Sequence, residues 1–390
     1  MDISEANKLR VLYFLAFSCT ASWLPIFADF LKERGLSGIQ IGIILSIPPI
    51  MMFLVQPLIG ALADRVGYKK CLIWTSLLAA LSYLFYVLDG NFITFFFITM
   101  FMSLFYNGVQ PLLDSLSLKL VQQDPSFSYG TLRIAGAVGW AITGTIVGRY
   151  IDSINTTVIF IFSAISMFLT FLFAFLLRNN YGKSELSKIR QSPVMREFLN
   201  NRDLIILLFC VFLISSGGTT IWNFYSIYMK ENGASATLVG YGISIQGLCE
   251  LPLFYFSAKI IGRFGNRTTL LITVFALAFR MLLYGLVKNP YAALFIELFH
   301  GISWSLFWVV CVEQVNKLVR AEWRATGQSL LYAAYFGIGA IAGNFWTGYL
   351  YDTKLKIADV FLLNAGIVAI VGFCMIFFMR DKASFGKHPS

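Results

Sequence analysis

The chain reads as an all-α membrane protein, with twelve transmembrane helices in two six-helix halves and both termini cytoplasmic. Three observations predict this. Of its 390 residues, 58% are hydrophobic and only 13% charged, with a mean hydropathy of +0.73, whereas a soluble domain carries about 25% charged residues. The apolar runs last about 20 residues or more and do not alternate in polarity, which calls for membrane helices rather than barrel strands. Lysine and arginine are also unevenly placed. With both termini inside, 21 of the 30 fall in inner segments and 7 in outer loops, while Arg133 and Arg280 lie within spans. That excess is the usual orientation signal. The net charge of +10 therefore reports topology, and no nucleic-acid partner is expected.

The spans follow in order: residues 9–31, 39–62, 71–88, 92–119, 128–151 and 157–177 in the first half. The second half holds 204–229, 237–261, 268–287, 291–317, 325–351 and 358–379. The longest polar stretch, 178–203, is a cytoplasmic linker; it separates a half of residues 1–177 from one of 204–380, with a cytoplasmic tail at 381–390. Residues 1–10 are mixed in charge and many apolar runs follow the first, so no cleavable signal peptide is expected. The six cysteines (19, 71, 210, 249, 311, 374) sit in apolar runs without CxxC spacing, which marks them as packing residues with no metal site among them.

The halves repeat each other. "GAVGWAITGTIVGRYID" (136–152) aligns with "FGIGAIAGNFWTGYLYD" (336–352) at an offset of 200, pairing Gly139 with Gly339, Gly148 with Gly348 and Asp152 with Asp352. "GALADRVGYKK" (60–70) has a degraded partner in "AKIIGRFGNRT" (258–268), and Asp114 and Glu313 lie 199 apart. Glycines recur in any membrane protein, but a constant offset is the mark of a parallel repeat. Two such halves can rock around a central site, as an alternating-access carrier requires.

"QPLIGALADRVGYKK" (56–70) joins the second and third spans on the inner side. In it Gly60 permits close helix approach, and Asp64 can accept from a neighbouring helix N-terminus or pair with Arg65. With Gly67 these residues resemble the signature loop of the major facilitator superfamily. The resemblance implies the major facilitator fold and a contact that breaks and reforms as the halves move.

Buried charges supply the candidate chemistry. Ser103, Asn107, Gln110 and Asp114 form one stripe on the fourth span. Asp114 falls roughly 12 Å, and Arg133 roughly 9 Å, to the cytoplasmic side of their span midpoints. An arginine in hydrocarbon costs roughly 3 to 17 kcal/mol, so a salt bridge or shared ligand cage between them is expected, with Trp140 two turns further on the same face. In the second half Glu250 and Arg280 sit near mid-span, and Glu297, His300, Trp304 and Trp308 form a stripe. Two carboxylates beside one arginine leave a carboxylate in excess, which is cheaper to protonate than to keep charged. Glu250 or Glu297 is thus expected to carry a coupling proton, with Arg280 and His300 tuning it. A static ion pair that fixes helix packing is the alternative for Arg280, and a hydrogen-bonded core residue the alternative for His300.

"QPLLDSLSLKLVQQDPSFSYGTLRIAGAVGWAITGTIVG" (110–148) and "ALAFRMLLYGLVKNPYAALFIELFHGIS" (276–303) resemble spans four to five and nine to ten of the oligosaccharide:proton symporters, the lactose permease group. The resemblance implies that Asp114 and Arg133 hydrogen-bond a sugar, that Trp140 stacks under its ring, and that Arg280 and His300 belong to the proton site. Departures are evident. Glu297 stands where the group has a lysine, Ser303 where it has the proton-carrying glutamate, and the span-eight glutamate is displaced to Glu250. "QGLCELPLFYF" and "WNFYSIYMKENGAS" (222–235) look more like the phenylpropionate permease and nucleoside:proton symporter branches.

The expected function is proton-coupled import of a small polar solute: a sugar or oligosaccharide, a nucleoside or an aromatic acid. Asn107, Gln110, Trp222 and Asn223 would complete the substrate site begun by Asp114, Arg133 and Trp140. No GxxxxGK[ST] loop is present, so ATP is not the direct energy source. No cofactor beyond the coupling proton is expected, nor is enzymatic activity. The partners are the solute, the proton and the bilayer, for a monomer in a bacterial inner membrane. Proton-antiported efflux of drugs or metabolites is the alternative, and a non-transporting sensor would call for an extra soluble domain or a long tail.

Overall fold

Polar side chains at Ser4, Ser37, Asn91, Ser128, Asn201, Ser235 and Asn289 cap the first turns of the helices that follow them. In the computed structural model, which describes residues 4–124, 126–178, 200–320 and 323–378, α1 runs from Glu5 to Glu33. It turns through a 3-10 segment at Leu24–Ile26, where Pro25 offers no N–H to an α-helix. Ser37 and Gln40 form a capping box that opens α2 (Gly38–Val66). Next come α3 (Tyr68–Leu84), α4 (Phe92–Gln123) and α5 (Tyr129–Ser153), the last opened by a second box from Ser128 and Thr131. Then α6 (Val158–Phe175), α7 (Arg202–Glu231), α8 (Ala236–Phe264) and α9 (Asn266–Leu286) follow. Helix α10 (Pro290–Leu318) contains a π turn at Gly301–Leu306. Helix α11 (324–352) contains another at Ala333–Gly339, and α12 covers Ile357–Phe378. The linker residues 179–199, the tail and His388 lie outside the described residues.

Among the described residues, ten helices are long and apolar enough to cross a membrane. Helices α8 and α11 are outside that set; α8 carries Gln246, Glu250 and Lys259, and α11 carries Arg324, Gln328 and Asn344. The sequence expectation of twelve spans therefore rests, for these two, on their place in the fold.

Among the described residues four helices carry internal prolines: α1 (Pro25), α2 (Pro48, Pro49 and Pro57), α4 (Pro111) and α8 (Pro252). At two of these breaks the freed backbone carbonyl finds a side chain. Pro49 cannot donate to the Leu45 carbonyl one turn earlier; Asn344 of α11 donates to it at 2.9 Å. Pro111 leaves the Asn107 carbonyl, which accepts from Gln56 at 3.3 Å. With no water available in hydrocarbon, such carbonyls need partners of this kind.

Within α1–α6 (the first set) α1 packs on α5 and α6 and α3 on α4 and α6, while in α7–α12 (the second set) α12 packs on α7 and α9. Two large cross-set seams, α5 on α8 and α2 on α11, and a smaller contact of α1 on α7 join them at the face opposite the termini, the far face. The backbones touch there. A Cβ on Gly148 would stand 2.5 Å from the Ala236 carbonyl oxygen, and one on Gly348 would run into that of Gly38. At the terminal face the two sets are capped internally, in matching positions: Lys69 donates to the Phe175 carbonyl at 2.8 Å, and Arg267 donates to the Ile376 carbonyl. Cations at helix C-termini are favourable, and these two tie the last helix of each set to its third.

Candidate functional site

The most deeply buried charges lie in the second set. Arg280 of α9 and Glu297 of α10 are 1% and 0% exposed and meet at 2.5 Å. Three further groups complete this pair. Tyr284 donates to Glu297 Oε1 at 2.5 Å, Gln246 Nε2 donates to Oε2 at 2.8 Å, and the guanidinium reaches the Tyr284 hydroxyl at 3.0 Å and Ser303 at 3.3 Å. Each carboxylate oxygen thus has a donor, as a buried ion pair requires to offset its desolvation.

The guanidinium nitrogen that meets Ser303 also extends the chain to α10 and α8. Arg280 Nη1 lies 2.8 Å from His300 Nδ1. A guanidinium only donates, so Nδ1 accepts and the imidazole proton sits on Nε2. That nitrogen faces Glu250 Oε1 of α8 at 3.0 Å. The network is therefore directional, from Arg280 through His300 to Glu250. Unlike Glu297, the Glu250 side chain is 20% exposed. The π turn after His300 and the missing side chain of Gly301 allow this contact, because a Cβ there would collide with the Cys249 carbonyl. We expect Gly301→Val to push α10 from α8, at about 1–3 kcal/mol, and to break the His300–Glu250 contact. A lowered unfolding midpoint in detergent, with loss of uphill uptake, would record it.

The sequence predicts a salt bridge or shared ligand cage between Arg133 and Asp114 in the first set; in the structure a phenol stands between them. Tyr129, one turn earlier on α5, donates to Asp114 Oδ1 at 2.9 Å and accepts from Arg133 Nη1 at 2.6 Å. Tyr13 of α1 donates to the same carboxylate oxygen at 2.7 Å. The guanidinium lies 5.7 Å from the centre of the Phe17 ring. Tyr332 of α11 and Glu250 of α8 lie within its electrostatic reach. Arg133 is thus the cation that looks across from the first set to the second.

An aromatic wall joins the two networks. The Trp140 ring meets Trp222 edge-on at 6.4 Å; Trp222 in turn meets His300 at 5.3 Å and Trp304 at 5.0 Å. Trp304 continues to Trp308 at 5.7 Å and Tyr335 at 5.3 Å. A small cleft opens beside it, lined by Trp222, Arg280, Ser303, Trp304 and Tyr335.

Other predicted site residues fall elsewhere. Asn107 donates to the Pro48 carbonyl at 2.9 Å, tying α4 to the break in α2, and Gln110 is exposed. Asn223 is buried and gives its amide to Asn344 at 2.7 Å, so it orients the residue that satisfies the Leu45 carbonyl. Glu313 pairs with Lys317 at 2.9 Å. In the signature loop Asp64 accepts from Tyr68 at 2.5 Å and Arg65 is exposed. Gly60 has no atom within 4 Å of where a Cβ would stand, so the expected close helix approach is not made there. Gly67 has φ +100°, a conformation open to glycine. Sequence reasoning missed Tyr13, Tyr129, Tyr284 and Gln246. Of these, Tyr129 and Tyr284 stand four residues from an intramembrane arginine, before Arg133 and after Arg280, a spacing that puts a phenol on the same helix face.

Comparison with known proteins agrees with this architecture. The model of the MFS_1 like family matches residues 6–363. An uncharacterized transporter, YwbF, of Bacillus subtilis (strain 168) is 28% identical over 387 residues, covering 97% of this chain and 94% of the relative. The maltose permease of Geobacillus stearothermophilus is 28% identical over 374 residues, covering 95% and 94%. The crystal structure of the nucleoside transporter NupG superposes with a TM-score of 0.85 at 18% identity, covering 97% of this chain and all of that one. Ten membrane-length helices, intramembrane charges and a match along nearly the whole chain lead to one assignment: this multi-pass membrane protein belongs to the MFS_1-like family of major facilitator superfamily transporters.

Proposed function

We propose that the protein is a proton-coupled symporter that imports a small, polar, ring-bearing solute by alternating access. In this reading helices α1–α12 all span a bacterial inner membrane, the termini are cytoplasmic, and the two sets are halves of a monomer that rock about the aromatic wall. The observation that carries the coupling is the directed chain from Arg280 through His300 Nε2 to Glu250. Glu297 has a donor on each oxygen and is fully buried, so it serves as the fixed counter-ion of Arg280. Glu250 has a side chain that is 20% exposed, which makes it the carboxylate that takes up and releases the proton.

Charge balance gives the order of events. Arg133 and Arg280 are offset by Asp114 and Glu297, and an ionised Glu250 adds one negative charge. Protonating Glu250 neutralises the site and releases its hold on Arg133, whose guanidinium then serves the solute together with Asp114. Trp140 and Trp222 present ring faces and edges to a sugar or heteroaromatic ring. The loaded, neutral site is the one that re-orients. Kinship with a maltose permease and the fold of a nucleoside transporter support this solute class. Far-face backbone contacts, with an exposed Gln110 and open space at Gly60, support an inward-facing state.

The test is external pH in lightly buffered, de-energised cells expressing the protein, to which sugars, nucleosides and aromatic acids are added singly. Alkalinisation with one class is expected and names the solute; acidification would indicate antiport and overturn the import reading. Once the solute is known, Trp140→Tyr is expected to keep affinity within about fivefold and Trp140→Ala to lose about tenfold or more, the scale of one aromatic contact. Equal losses in equilibrium binding would remove ring stacking from the site.

A further inference from the structure

The repeated aspartates at 152 and 352, which the solute site does not use, close the far face in matching fashion. Asp152, at the end of α5, accepts from the Ala236 amide at 2.9 Å and the Thr237 amide at 2.8 Å, the first two N–H groups of α8. It also accepts from the Thr237 hydroxyl at 2.6 Å. Asp352, at the end of α11, accepts from the Gly38 amide at 2.5 Å and the Ile39 amide at 2.9 Å, the first two of α2. In each case one carboxylate oxygen takes each amide, and the carboxylate comes from the opposite set. The third turn amide is satisfied at home. Ser37 accepts from the Gln40 amide at 3.3 Å and Ser235 from the Leu238 amide at 3.2 Å.

A second pair of contacts obeys the same symmetry. Lys230 of α7 meets Glu33 of α1 at 2.9 Å and Asp29 at 2.5 Å, while Lys32 of α1 meets Glu231 of α7 at 3.8 Å. All but Asp29 lie in "LKERGLSG" (31–38) and "MKENGASA" (229–236), a repeat at an offset of 198. Helix N-termini leave their first amides unpaired and favour negative charge. A helix that borrows its cap from the other set is therefore better satisfied when the two sets meet than when they part.

We propose that Asp152 and Asp352 form a two-fold clasp that holds the far face shut and sets the balance between the two access states. Each is a positioning residue and neither touches the solute. The clasp rests on the reading of the two sets as rocking halves. It adds to that reading a specific pair of contacts made in one state and absent in the other. Its differential stability comes from four amide bonds and one hydroxyl bond, distributed over both seams so that neither side opens alone.

The test uses the full-length protein in liposomes, with native cysteines replaced by serine and spin labels on Leu88→Cys and Lys288→Cys. These exposed far-face positions belong to different sets. Electron-electron resonance is expected to show a short distance, with the clasp closed, and a longer one that grows at low pH with solute. Asp152→Ala and Asp352→Ala should each raise the long-to-short ratio about fivefold, the scale of one lost cap, and the double variant about 25-fold, since the two sites share no partner. Thr237→Val, a milder change, should move the ratio the same way by about twofold. Two distances in the parent protein with an unchanged ratio in the double variant and in Thr237→Val would overturn the clasp alone. A single distance under every condition would overturn the rocking reading, and the clasp with it.

Discussion

Glu250→Gln is expected to abolish accumulation of solute against a gradient while leaving solute exchange within about threefold of the parent protein. The two processes separate because exchange needs only the loaded carrier, whereas accumulation needs the proton to leave. Glutamine keeps the volume and an acceptor for His300 Nε2, so the geometry at 3.0 Å survives. It bears no ionisable proton, so the site is held in its neutral form and the uncompensated negative charge that recaptures Arg133 never develops. Counterflow and gradient-driven uptake in right-side-out vesicles measure the two directly. Uptake in the variant should lose its dependence on the pH gradient altogether. Continued accumulation by Glu250→Gln would place the coupling proton on another group and leave Glu250 a hydrogen-bond acceptor only.

How much of this site the sequence disclosed depends on the kind of fact required. Residue depth was legible, because a helix rises about 1.5 Å per residue; Asp114 and Arg133 are indeed joined, but through Tyr129. Helix neighbours were not legible. Nothing in the periodicity of α1 says that Tyr13 reaches α4, or that Asn223 faces Asn344 rather than a solute. The proline-freed carbonyls could have been anticipated, since Pro49 and Pro111 must orphan Leu45 and Asn107, although the donors come from other helices. The repeat exposed Asp152 and Asp352 as a pair, yet it could not say that their partners are backbone amides across the seam. The tautomer of His300 is a still finer fact. It follows from a 2.8 Å contact with a group that only donates, and only three-dimensional proximity supplies it.

Removing the counter-ion of Arg280 separates fold from coupling. Glu297→Gln leaves a buried guanidinium without its carboxylate and is expected to destabilise the protein by about 3–5 kcal/mol, the cost of an uncompensated buried charge. Exchange and accumulation should both fall, in contrast to Glu250→Gln. Arg280→Met alone should cost a similar amount, because it strands Glu297 and frees His300 Nδ1. Replacing both with methionine removes the charges together. What remains unsatisfied is the Tyr284 hydroxyl, the Gln246 amide and His300 Nδ1, about 1–3 kcal/mol each, set against the gain from apolar packing in their place. The double variant should therefore be clearly more stable than the sum of the singles, with a coupling of about 2 kcal/mol or more, read by reversible unfolding in mixed detergent micelles. It should still fail to accumulate solute, because His300 no longer has its proton fixed on the nitrogen that faces Glu250. If Glu297→Gln instead folds like the parent, retains exchange and loses only accumulation, the two glutamates have exchanged roles. The fully buried carboxylate is then the one that moves the proton, and the exposed one is the acceptor that anchors His300.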